Sequence, residues 1–329
     1  MNKIIGLGNA LVDVLVKVDD DNILTSINLP KGSMQLIDSK KFQEINKIFS
    51  KMNPSIATGG SAANTIKALA TLGAPVGFIG KIGKDSYGEF FEMTFNDRGI
   101  KSHLMYDDNI ASGVASTFIS ADGERTFGTH LGAASNLNEN DIKESDYSDY
   151  QILYIEGYLV QNHDLILKAV KLAKELNLKV CIDLASYNIV AEDLDFFHFL
   201  VENYVDIVFA NEEEAFAFSK TNDSLEALKY IATMCEIAVV KVGSQGSYVM
   251  NEGNIYHVDA RPNCKVVDTT GAGDYFAAGF LYGYINNYDF EKCAKLGSLL
   301  SGYVIEVIGT TLFRDTWDKI KEEIKGIVK

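Results

Sequence analysis

Short apolar runs recur along the chain at 4–7, 76–79, 152–155, 180–182, 207–209 and 238–242. Such runs mark strands buried on both faces of a parallel sheet. Between them lie longer segments, 61–72, 87–97, 164–176, 225–234 and 274–285, whose apolar residues repeat at spacings of three and four and predict helices. The alternation of the two predicts a doubly wound α/β sheet with helices on both faces. Two stretches depart from it. Residues 11–38 and 99–130 alternate apolar and polar positions, as in Val12-Asp13-Val14-Leu15-Val16-Lys17-Val18, and the second ends near a turn at Asp122-Gly123. This is the pattern of half-buried antiparallel strands, and both stretches are expected to form one small β-sheet lid on a single domain spanning 1–329.

The 329 residues suffice for a large core, and 47% hydrophobic with 23% charged residues is the balance of a folded globular chain. A net charge of −15 repels nucleic acid and anionic membranes, so neither is expected as a partner. The four cysteines form no C-x-x-C pair and read as small buried hydrophobes of a reducing compartment, so a cytoplasmic location is expected. The first twenty residues are interrupted by Asn9, Asp13 and Lys17, which argues against a signal sequence.

The most informative stretch is Asp268-Thr269-Thr270-Gly271-Ala272-Gly273-Asp274, directly before a helical pattern. Glycines there let several backbone N–H groups converge where the helix dipole favours negative charge, which suits a phosphate. A carboxylate beside that anion is repulsive unless a base is needed, although Asp274 as a simple cap fits the same residues. Gly59-Gly60-Ser61-Ala62-Ala63-Asn64-Thr65 opens another helix, either as a close backbone approach to a ligand with Asn64 offered to a diol or as a tight turn. Gly6-Leu7-Gly8-Asn9-Ala10-Leu11 lacks the third glycine of a dinucleotide fingerprint, which leaves a dehydrogenase as a weak alternative. The chain also has no P-loop motif.

These motifs occur together and in order with Gly80-x-x-Gly83-x-Asp85-x-x-Gly88, Asn211-Glu212-Glu213-Glu214 and Lys241-Val242-Gly243-Ser244-Gln245-Gly246. The set resembles the ribokinase-like (PfkB) sugar and nucleoside kinases along nearly the whole chain. Within that family GNALVDV, GGSAANT and YIEGY look most like adenosine kinases. The resemblance implies a three-layer α/β/α sandwich with a mostly parallel central sheet and a small β lid. It also implies transfer of phosphate from ATP, with Mg²⁺, to a hydroxymethyl group, adenosine to AMP being the expected reaction. The alternatives are ribose, fructose or a 2-keto-3-deoxy sugar acid as acceptor, or a non-catalytic binding protein on a kinase fold.

By the same resemblance Asp274 is the base, and the Gly271, Ala272 and Gly273 amides stabilise the transferred phosphoryl group. Asp13, Gly59, Gly60 and Asn64 bind substrate hydroxyls. Arg125 is expected to close over the phosphates from the lid, with a solvated turn residue as the alternative, and Glu156 is either a ribose ligand or a paired structural acid. Asn211 and Glu214 organise Mg²⁺ and phosphates, while Lys241, Gly243, Gly246 and Thr269 belong to the nucleotide site. Asp268, Thr270 and Gly309 are expected to hold a monovalent cation, K⁺, and a homodimer through the lid is a further expectation.

Overall fold

The structure, a computed structural model, describes residues 2–122 and 124–329. Gly123, part of the expected Asp122-Gly123 turn, lies outside the described residues. The strands are β1 (Ile4–Leu7), β2 (Leu11–Lys17), β3 (Met34–Leu36), β4 (Ser55–Gly59), β5 (Val76–Gly83), β6 (Lys101–Asp107), β7 (Gly113–Ile119), β8 (Arg125–His130), β9 (Ile152–Glu156), β10 (Lys179–Asp183), β11 (Ile207–Asn211), β12 (Ile237–Lys241), β13 (Ser247–Asn251) and β14 (Asn254–Val258).

Nine of them form the large sheet, in the order β14-β13-β12-β11-β10-β9-β1-β5-β6. The seven strands from β12 to β6 pair in parallel, and β13 and β14 extend the sheet as an antiparallel hairpin. Successive side chains of a strand point to opposite faces, and the core divides accordingly. Ile4, Tyr154, Ile207 and Phe209 pack on one face with the Ser61–Thr71, Ala272–Ile285 and Phe290–Val304 helices. Ile5, Leu153, Ile155 and Val208 pack on the other with the His163–Glu175, Leu194–Tyr204 and Ser224–Ile231 helices. Strands covered on both sides need no polar alternation, which is why their sequence is a plain apolar run.

The second sheet has the order β3-β8-β7-β2-β4. Its alternation sorts residues between two faces. Val12, Val14 and Val16 are buried beneath Phe42, Ile45 and Phe49 of the Ser39–Phe49 helix, with Phe49 set edge-on to Phe118 at 4.9 Å. Leu11 and Asp13 point the other way, into the main cleft. Three features differ from the sequence expectation. β6, within 99–130, pairs with β5 and closes the large sheet, and β4, outside both stretches, completes the small one. The small sheet is also mixed, since β2 runs parallel to β7 and β3 to β8. Period-two alternation reports a half-buried strand and does not say which sheet it joins.

Candidate active site

A cleft of about 1370 Å³ runs between the two sheets at the carboxyl ends of the parallel strands, where open α/β sheets bind ligands. It is wide enough for two small molecules side by side. Two glycine-led helix starts meet at its centre. Gly271, at φ 74°, precedes the Ala272–Ile285 helix, and Gly60, at φ 96°, precedes the Ser61–Thr71 helix. Both sit in the left-handed region that other residues avoid.

The second helix start holds the carboxylate of the first. Ser61 Oγ donates to Asp274 Oδ1 at 2.7 Å and Asn64 Nδ2 donates to Oδ2 at 2.9 Å. Asn64 is itself fixed by Thr310 Oγ1, which donates to Asn64 Oδ1 at 3.1 Å, and Thr65 Oγ1 donates to the Asp274 carbonyl at 3.1 Å. Burial pushes the Asp274 carboxyl up to about 6, against the two hydrogen bonds, which favour the anion. Each oxygen thus has one protein donor and keeps a lone pair for the cleft.

On the small-sheet side stand Asp13 and Glu156. Asp13 projects from β2 beside Gly59, where a Cβ would come within 2.2 Å of Asp13 Oδ1, so that glycine makes room for the carboxylate. Burial raises Asp13 to about 6, opposed by the positive charges of Lys67 and Arg125. Glu156 ends β9 and accepts from the Asn9 amide at 3.0 Å, the Asn9 side chain and the Ala62 amide at 2.9 Å. Burial lifts it to about 7. Of the two roles left open for Glu156, these contacts make it a tie between β1, β9 and the Ser61–Thr71 helix while it still lines the cleft.

The opposite half is built on β10, β11 and β12. Asn211 and Glu214 form a reciprocal capping box, with the Asn211 side chain accepting from the Glu214 amide at 2.8 Å and Glu214 Oε2 accepting from the Asn211 amide at 2.8 Å. Burial, then the nearby Asp183 charge, raises Glu214 to about 7. Lys241 Nζ donates to Asp183 Oδ2 at 2.8 Å. Burial disfavours the ammonium, but Asp183 and Glu214 outweigh it and hold Lys241 above its ordinary pKa. A Cβ on Gly273 would lie 3.1 Å from that nitrogen, so the ammonium sits against the same helix start as Asp274. Gly243, Gly246 and Thr269 line this half too. At Gly246 a Cβ would meet the Val258 carbonyl at 1.9 Å.

Sequence reasoning missed Asp183, Ser61, Asn9 and Thr310 as parts of the site. Asp183 ends a parallel strand that the apolar runs did locate, and the strand-end rule points to it. Ser61 and Asn9 stand inside motifs already singled out, but their partners and that of Thr310 lie 90 or more residues away, so the pairing itself leaves no local signal. Among the described residues no three His, Cys, Asp or Glu side chains are grouped to hold a metal. Magnesium at a nucleotide takes one or two carboxylates plus phosphate oxygens and water; Glu214 already accepts from the Asn211 amide and side chain and Asp183 from Lys241 and the Ala185 amide, so these two acids, both lining this half, would hold the ion through its bound water.

Two expected sites show a different contact here. Arg125 does not reach over the glycine turn: its Nη1 donates to Thr270 Oγ1 at 2.9 Å and its Nη2 to Asp268 Oδ2. Both side chains are almost fully buried in the pair. The expected cation position at Asp268, Thr270 and Gly309 is therefore filled. Asp268 Oδ1 accepts from the Thr270 amide at 3.0 Å and Oδ2 from the Gly309 amide at 2.7 Å as well as from Arg125. A potassium ion does not fit a carboxylate with those donors already on it.

The pfkB family carbohydrate kinase pattern matches residues 32–317. Adenosine kinase 2 of Arabidopsis thaliana is 27% identical over 94% of this chain and 95% of its own length. A 5-dehydro-2-deoxygluconokinase of Clostridium botulinum is 29% identical over 86% of this chain and 88% of its own. Among solved structures, the adenosine kinase of Sinorhizobium meliloti superposes with a TM-score of 0.87 at 33% identity, covering 98% of this chain and 99% of that one.

Proposed function

The chain belongs to the pfkB family of carbohydrate kinases, and we propose that it phosphorylates the 5′-hydroxyl of a ribonucleoside, adenosine, with ATP as donor. The chain is a kinase acting on an alcohol acceptor; the acceptor's identity is our reading. The observation that carries it is the character of the small-sheet half of the cleft. The charged side chains that line it among the described residues are the carboxylates Asp13, Glu156 and Asp274, which bind hydroxyls and repel a sugar acid. Its rim carries Met34 and Leu36, 54% and 65% exposed, apolar area that a purine can cover and a free sugar cannot.

On this reading Asp13, Gly60 and Asn64 hold the ribose hydroxyls, and Asp274, ionised above its pKa of about 6, takes the proton as the hydroxyl attacks the γ-phosphorus. The bond to the β-bridging oxygen breaks, and the charge on the transferred group faces the amides of Gly271, Ala272 and Gly273 and the Lys241 ammonium. Bound magnesium neutralises phosphate charge; Glu214 and Asp183 are the residues that would hold it. Lys241, kept charged by Asp183 and Glu214, orients the nucleotide's phosphates toward the glycine turn. The small sheet, packed over this point, excludes water from the transfer.

ADP release measured with adenosine, inosine, ribose, fructose, 2-keto-3-deoxygluconate and 5-dehydro-2-deoxygluconate tests the acceptor. We expect kcat/KM for adenosine to exceed that for any sugar or sugar acid by about 100-fold or more. A sugar acid turned over faster than adenosine rejects the reading.

A further inference from the structure

Arg125 and Asp268 come from different layers, β8 of the small sheet and the loop that leads into Gly271. Their side chains are 9% and 7% exposed, so the pair is a buried ion pair. The guanidinium also makes a second bond, to Thr270 Oγ1, and lies over the Phe127 ring with its carbon 5.5 Å from the centroid. Asp268 in turn binds the Thr270 and Gly309 amides. One positive charge thus gathers the 268–270 loop and the 309 loop around a single carboxylate, three residues before Gly271, whose turn the kinase reading sets against the transferred phosphate.

We propose that the Arg125 guanidinium is the built-in cation of this loop, so that the protein holds its phosphate-binding turn in shape without a monovalent metal ion. The charge is the same as that of a potassium ion, but it is delivered by the small sheet on a planar fork that fixes direction as well as distance. Removing it leaves the Asp268 charge buried and unpaired, which is costly, and an added cation of suitable size then has a place to bind. The role rests on the kinase reading only for its effect on rate; the ion site itself exists without substrate.

The test compares wild type with Arg125→Ala and Arg125→Lys, all prepared in choline chloride and titrated with KCl at constant ionic strength. Thermal melting of the ligand-free proteins is the first readout and ADP release the second. Wild type is expected to show no potassium-specific change in either. Arg125→Ala should melt lower in choline and gain a few degrees with K⁺, the linkage expected of an ion binding the folded state alone, and about ten-fold of its lost activity should return with the ion. Arg125→Lys, which keeps a charge, should respond less. A potassium-specific rise in wild-type melting temperature overturns the proposal, and so does an Arg125→Ala protein that potassium neither stabilises nor activates. If neither variant folds, the wild-type titration decides alone. The melting readout needs no acceptor, so a wrong substrate assignment and a wrong cation assignment give different results.

Discussion

The two glycine-led helix starts at the centre of the cleft both turn on a positive-φ glycine, Gly60 at φ 96° and ψ 134° and Gly271 at φ 74° and ψ 2°, and they present different groups. Gly60 leads into Ser61 and Asn64, neutral side chains that point out and grip a carboxylate. Gly271 leads into Ala272 and Gly273, which offer only backbone, and then into Asp274. A helix N-terminus attracts negative charge in either case. At the first the Ala62 amide is taken by Glu156 while the Ser61 and Asn64 side chains hold Asp274; at the second the Ala272 amide donates to the Thr269 carbonyl within its own turn, and only small residues precede Asp274. The difference lies in side-chain size within the first turn: one start holds the Asp274 carboxylate, and on the proposed kinase reading the other faces the phosphate.

The sharpest way to break this division is Asp274→Asn, which preserves size while removing the proton acceptor. We expect kcat to fall by roughly 10²- to 10⁴-fold with KM for both substrates little changed, the pattern of a lost transition-state interaction. Near-normal kcat in a normally folded variant would exclude Asp274 as the base. The acidic limb of the wild-type rate profile should have its midpoint near pH 6, because the base works only when ionised and burial raises it to about 6.

Much of this arrangement could be read before any coordinates. The β1, β5, β9, β10, β11 and β12 strands stood out because burial on both faces leaves no polar positions, and the helix starting near Asp274 stood out because its glycines precede a long apolar segment. Asp13 and Asn64 were found through motifs, and both line the cleft. What stayed hidden depends on pairing across the chain. Thr310 reaches Asn64 over 246 residues and Arg125 reaches Asp268 over 143, and although Asn64 and Asp268 stand in the two glycine motifs, nothing in those motifs names the distant partner. Exchanging the alternating β6 for β4 in the small sheet is the same kind of loss, since periodicity encodes burial and leaves the neighbour unspecified.

The glycines themselves separate the two starts by stability. A Cβ at Gly60 would lie 2.1 Å from the Asn9 backbone carbonyl, whereas at Gly271 the nearest obstacle is the Thr310 methyl at 2.6 Å. Backbone cannot turn aside and a methyl can. Gly60→Ala should therefore cost about 3 kcal/mol or more and Gly271→Ala about 1–2 kcal/mol, the positive φ contributing to each. Chemical denaturation of the ligand-free proteins measures both, and equal losses would contradict the assignment of the clash.

Smaller effects should sort the two donors on the base. Asn64→Ala removes a hydrogen bond to Asp274 and strands the Thr310 hydroxyl, while Ser61→Ala removes one bond near the cleft. We expect kcat to drop about 10- to 100-fold in the first and only several-fold in the second. Both bonds favour the carboxylate anion, so losing either should move the acidic limb of the rate profile to higher pH. A limb that stays in place in both variants would mean that neither donor tunes the base.

The smallest effect has the least intuitive sign. Asp274 is raised from its ordinary 3.8 to about 6 by burial, so in the folded protein it holds its proton over a pH range in which the unfolded chain has released it. Where the folded state binds more protons, stability falls as pH rises, and here that window runs from about 4 to about 6. Above it the buried charge is a standing cost of about 1–3 kcal/mol. Asp274→Asn removes the charge and keeps the hydrogen-bonding outline, so at pH 7.5 the ligand-free variant should melt a few degrees above wild type even though its activity is nearly gone. At pH 4, where wild-type Asp274 is itself neutral, the advantage should vanish. Melting curves of the two proteins from pH 4 to 8 decide the matter: a gain that persists unchanged at pH 4 would trace the stabilisation to packing, and no gain at pH 7.5 would mean that Ser61 and Asn64 fully compensate the buried charge.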